Sequence, residues 1–124
     1  MLIKKLSVLL IAILISACAQ TKYHWGGYEN ALYRYYKSPV ELENLAEELA
    51  DVIAQGERDG KVPPGVYAEF GYILLIQGKN SEAITYFEKE KKLWPESARL
   101  MNTMLKTAKS AKNKKSNPTR RGTP

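Results

Sequence analysis

The apolar positions of this chain sort into one dense run and several helical stripes. The run, Leu6 to Ile15, is about ten residues long, too short to cross a bilayer core of about 30 Å as a helix. Further on, Tyr28, Leu32, Tyr35 and Tyr36 recur at i, i+4, i+7 and i+8, the spacing of one helix face. Ser38-Pro39 interrupts that pattern, with Ser38 placed to cap and Pro39 placed at a first helical position. Val40 to about Arg58 then carries Leu42, Leu45, Ala46, Leu49, Val52 and Ile53 as one stripe, opposite an acidic face of Glu41, Glu43, Glu47, Glu48 and Asp51. Gly56 to Gly65 reads as a turn-rich link containing Gly60 and Pro63-Pro64. Glu96 to about Ala111 repeats the amphipathic pattern with Ala98, Leu100, Met101, Met104, Leu105 and Ala108.

Between the link and that last stripe, Pro64 to Pro95 predicts a helical hairpin. Its spacing resembles the tetratricopeptide pattern: Tyr67 at the first aromatic place, Phe70-Gly71 at the Leu-Gly place, then Ala83, Phe87 and Pro95. Leu74 stands where tyrosine is usual, and Glu90 stands where a second small residue is usual. Gly71 and Ala83 are small enough to let two antiparallel helices approach, with Tyr67, Phe70, Leu74, Ile84 and Phe87 filling the seam. Gly78-Lys79-Asn80-Ser81 supplies the turn, Gly78 ending one helix and Asn80 or Ser81 capping the next. Pro95 stops the second helix. One repeat cannot bury its own face, so its neighbours must complete the core. The expected fold is all-α, a short tetratricopeptide-like array of antiparallel helix pairs, about five helices, closed by a C-terminal capping helix. A plain helical hairpin is the alternative reading of the same spacing.

Charge divides the chain further. The formal net charge is +6, but from Cys18 to Ser97 thirteen acids face nine bases, and beyond Glu96 every charged residue is basic. Lys112 to Pro124, rich in Asn, Ser, Thr, Pro and Gly, is expected to be a disordered basic tail of residues 112–124. The single cysteine, Cys18, excludes an intramolecular disulfide. With one histidine as well, a protein-only zinc site is not expected, and no metal or cofactor is.

Lys4 and Lys5 precede the apolar run, which ends in Ile15-Ser16-Ala17-Cys18. This arrangement is that of a signal peptide over residues 1–17, and the tetrapeptide resembles the bacterial lipobox. The resemblance implies cleavage before Cys18 and acylation of its thiol, leaving residues 18–23 as an acylated tether and residues 24–111 as the helical domain. Ala19 follows the cysteine in place of aspartate, which by analogy with lipoprotein sorting favours the outer membrane, with the body facing the periplasm. A signal of this kind argues against nucleic acid as a partner of the basic tail; anionic head groups or an acidic protein fit better.

No Gly-rich phosphate loop, His-Glu-x-x-His or Gly-x-Ser-x-Gly occurs, so no enzyme signature is present. Aromatics crowd between Tyr23 and Tyr36. They read either as core packing or as a partner-binding surface, for which Trp25, Tyr28, Tyr33 and Tyr36 are the candidates.

Tyr23-His24-Trp25-Gly26-Gly27-Tyr28-Glu29, Leu32-Tyr33-Arg34-Tyr35-Tyr36, Pro63-Pro64-Gly65-Val66-Tyr67-Ala68-Glu69-Phe70-Gly71-Tyr72, Tyr86-Phe87-Glu88-Lys89-Glu90 and Trp94-Pro95-Glu96-Ser97 together resemble the small bacterial lipoproteins of domain-of-unknown-function family 4810. The resemblance covers the body without its basic tail. It implies an envelope lipoprotein associated with a CsgG-like lipoprotein of the curli-secretion type, and it carries no catalytic residues over. The expected function is a non-enzymatic, lipid-anchored adaptor that binds another envelope protein. The competing expectation is a tetratricopeptide-like lipoprotein activator of a peptidoglycan synthase.

Overall fold

The computed structural model describes Met1 and residues 22–116; Cys18, the rest of the expected signal and tether up to residue 21, and residues 117–124 lie outside the described residues. Among the described residues the chain is all-α. Five helices follow one another: α1 (Tyr28–Lys37), α2 (Leu42–Asp59), α3 (Val66–Ile76), α4 (Asn80–Leu93) and α5 (Ala98–Ser116), with 3₁₀ turns at Pro39–Glu41 and Pro95–Ser97. Each helix packs on its neighbours in sequence, and α5 also reaches back to α3. No described helix is long and apolar enough to cross a membrane.

The central hairpin forms as its spacing predicts. A Cβ on Gly71 would lie 2.8 Å from Phe87 Cε1 and 3.3 Å from the Ala83 carbonyl oxygen, so α3 and α4 cross where neither helix has room for more. Ala83 and Phe87 are fully buried there. After α3, Gly78 takes a left-handed φ of 73°. Its amide bonds Leu75 O at 3.0 Å and that of Lys79 bonds Leu74 O at 2.8 Å, the paired bonds of a Schellman ending. The start of α4 differs from expectation. Lys79 occupies the capping position, no side chain caps the helix, and the Asn80 side chain is buried instead.

The core has two clusters. One joins Ala31, Leu45, Leu49, Val52, Ile53, Val62, Val66 and Ile73 across α1, α2, the link and α3. The other joins Leu74, Ala83, Phe87, Met101, Leu105 and Ala108 across α3, α4 and α5. Phe70 and Tyr86 pack against both, edge to face at 4.7 Å and 90°, so the hairpin is the shared wall. Each fully buried large side chain contributes about 1.5–3 kcal/mol to such a core.

Three boundaries move. Val40 sits in a 3₁₀ turn and is 88% exposed, outside the helix predicted to begin there. Gly56 is buried inside α2 rather than in the link, because the chain folds back until Val62 Cα would be 2.8 Å from a Gly56 Cβ. α5 runs to Ser116, five residues past the expected end. Lys115 Nζ there donates to Gly78 O at 3.0 Å, a cation at the carbonyl end of α3. Residues 112–116 are therefore helical, not part of a disordered tail.

Candidate functional site

The aromatic segment divides into an inner and an outer set. Ala31 is the fully buried residue of α1, and a helix that turns Ala31 inward turns Leu32, Tyr33 and Tyr36 outward. The stripe expected from Tyr28, Leu32, Tyr35 and Tyr36 is thus rotated: Tyr28 and Tyr35 pack on the core, whereas Leu32 and Tyr36 do not. Trp25 and Tyr28 lie 5.5 Å apart against the core, and Tyr28 Oη donates to Glu69 Oε2 at 2.8 Å. Of the four candidate docking residues, Trp25 and Tyr28 are half-buried and pack against the core. Burial and the Glu69 carboxylate push the Tyr28 phenol well above its ordinary range.

Tyr33 and Tyr36 remain, 61% and 81% exposed. With Glu29, Leu32 and Tyr35 they line a shallow surface hollow of about 470 Å³. Lys37 Nζ stands 5.6 Å over the Tyr33 ring at its edge.

Carboxylates from a facing helix, one buried and one half-buried, meet the starts of α3 and α1, and the sequence alone does not announce them. Glu90, 2% exposed, accepts the Gly65 amide through Oε1 at 2.8 Å, just ahead of the first residue of α3. Among the described residues its Oε2 has no hydrogen-bond partner. Burial raises the Glu90 carboxyl above its ordinary value, and the amides of Gly65, Ala68 and Tyr67 offset part of that rise. Glu48 does the same for α1, accepting the Gly27 amide through Oε2 at 3.2 Å. In both places a carboxylate from the next helix of the pair meets the positive end of the preceding helix. The signal available in the sequence was a misfit: Glu90 stands where the repeat pattern asks for a small residue.

A second polar network ties α2 to the hairpin. Lys89 Nζ and Tyr67 Oη both donate to Glu57 Oε1, at 2.7 Å and 2.8 Å. Those bonds hold Glu57 below the usual carboxylate range. Burial and Glu57 push the Tyr67 phenol upward. Lys89 Nζ also lies 5.3 Å over the Tyr67 ring and 5.2 Å over that of Tyr86. Tyr67, expected only as a seam residue, therefore carries a polar role at its tip.

Beside this network lies a cavity of about 400 Å³ between the start of the described chain, the α2–α3 link and the end of α4. Tyr23 and Trp94 meet there edge to face at 6.2 Å. The Trp94 Nε1 is shielded and among the described residues has no hydrogen-bond partner. Phe70, Gly71, Ala83 and Phe87 all sit in the hairpin seam, and Pro95 opens the 3₁₀ turn after α4. His24 is exposed. Among the described residues no group of three or more His, Cys, Asp or Glu side chains is placed to hold a metal ion.

The described surface thus carries an exposed aromatic face on α1 and a cavity beside Trp94. The profile of the family described as Domain of unknown function (DUF4810) matches residues 22–104, and the chain belongs to that family. No curated protein and no solved structure matches it.

Proposed function

We propose that this protein is a lipid-anchored helical adaptor of the bacterial envelope. In this reading Cys18 carries the acyl chains, the tetratricopeptide-like body faces the periplasm from the outer membrane, and α1 docks a second envelope protein. The observation that carries the docking surface is the exposure of Tyr33 and Tyr36 side by side with Leu32. Exposed tyrosines on a rigid helix lose little conformational entropy on binding and supply both apolar area and a hydroxyl. The partner chemistry favoured by the family resemblance is a CsgG-like lipoprotein of a secretion or surface assembly. Acyl chains contribute about 0.8 kcal/mol per buried methylene, so two suffice for firm anchoring.

The test is affinity capture of the full-length lipoprotein and of its Tyr33→Ser/Tyr36→Ser variant, from detergent-solubilised envelopes. The expected result is recovery of the CsgG-like lipoprotein by the natural sequence, weakened at least about tenfold in the variant. Recovery of a peptidoglycan synthase in its place would overturn the partner and favour the activator reading. Equal recovery by both forms would overturn the surface.

A further inference from the structure

The cavity beside Trp94 continues into a second hollow of about 270 Å³, and the two share Tyr67 and Leu93 as a common wall. Their floor is apolar and aromatic: Val62, Tyr67, Leu93 and Trp94. Their rim is cationic, with Lys22 and Lys61 at the first hollow and Lys89 and Lys92 at the second. The one carboxylate in the lining, Glu57, is already engaged by Lys89 and by the Tyr67 hydroxyl. Among the described residues Lys22, Lys61 and Lys92 have no ion-pair partner. A groove of this kind gains from an occupant that brings negative charge to the rim and apolar side chains to the floor.

We propose that this groove binds an acidic peptide segment of a partner protein in which carboxylates alternate with apolar residues. The site is lined by Lys22 and Tyr23, by α2, the link, Tyr67 of α3 and the end of α4, shares no lining residue with the α1 hollow, and does not depend on the docking proposed there. Lys61 and Lys92 clamp the carboxylates, and Leu93 and Trp94 receive the apolar side chains.

The experiment titrates the full chain, in non-ionic detergent, into a fluorescein-labelled peptide of alternating glutamate and leucine, read by anisotropy. The expected result is saturable binding that weakens about tenfold in Lys61→Glu/Lys92→Glu, and that weakens also as salt rises from about 0.05 to about 0.5 M. Both lysines are exposed, so the variant keeps the far-UV signal and melting midpoint of the natural sequence. A glutamine-for-glutamate peptide that binds equally well overturns the proposal. So does an affinity unchanged by charge reversal, or the absence of saturation below about 1 mM. Monomeric dihexanoyl phosphatidylglycerol that binds more tightly than the peptide overturns it in favour of a lipid head group. Tyr33→Ser/Tyr36→Ser should bind the peptide normally; loss there would overturn the separate site. Failure of the envelope capture would leave this titration unaffected.

Discussion

Glu90 and Glu57 impose opposite pH dependences on one small body. Burial raises the Glu90 carboxyl above its ordinary 4.5, so the folded chain holds that proton more tightly than the unfolded chain. Its contribution is complete below 4.5 and is lost as pH rises through the raised value. Glu57 is lowered by Lys89 and Tyr67, so its contribution is present above 4.5 and lost as pH falls through the lowered value. Melting midpoints followed across pH should show both limbs. Glu90→Gln should remove the loss on the rising side, and Glu57→Gln the loss on the falling side. Glu90→Ala, which leaves the Gly65 amide without its acceptor, should cost about 1–3 kcal/mol in denaturant unfolding. At this scale the sequence was partly legible. Gly71, Ala83 and Phe87 could be assigned because a close crossing leaves a fixed spacing of small and large residues. The Glu48–Gly27 and Glu90–Gly65 bonds span 21 and 25 residues, and no local pattern records a partner that far away.

At the scale of the helix, the α3–α4 crossing is the tightest contact in the hairpin. Gly71→Ala would push a methyl to 2.8 Å from the Phe87 ring and should destabilise by about 1–3 kcal/mol. Phe87→Leu in the same chain vacates that space. The double variant should then be more stable than the sum of the single losses, and a double-mutant cycle by urea unfolding measures the difference. Helix α5 makes the complementary case. Deleting residues 112–124 removes its last turn and the Lys115–Gly78 contact, which is exposed. The unfolding free energy should change by less than about 0.5 kcal/mol. Periodicity located α2 and α5 well because their stripes are long. It misplaced the buried face of α1 because Ala31, the smallest apolar residue there, is the fully buried one, flanked by half-buried Tyr28 and Tyr35, while the larger Leu32 and Tyr36 face outward. Composition suggested an early end to α5, but lysines are good helix formers, and Lys115 finds a carbonyl to bind.

For the molecule as a whole, order along the chain becomes order in space. Each helix packs on the next in sequence, and the exposed tyrosines of α1 follow the proposed anchor by fewer than twenty residues. Cys18→Ser should abolish fatty-acid incorporation and release the protein from the membrane fraction, while leaving the helical signal unchanged; labelling of the variant would contradict the anchor. The all-α architecture was readable because each helix carries its own stripe and punctuation. The choice between docking face and core was not, since an aromatic residue reads the same in either place until its neighbours are known.

The most direct test of the adaptor account is site-specific photo-crosslinking of the full-length lipoprotein in cells, with the photoreactive side chain at position 36 in one strain and at position 72 in another. Tyr72 is a fit reference because it is also exposed, on the hairpin. The account predicts a discrete crosslink to one envelope protein from position 36 and none to that protein from position 72. Crosslinks of equal strength from both positions, or none from position 36, would contradict it.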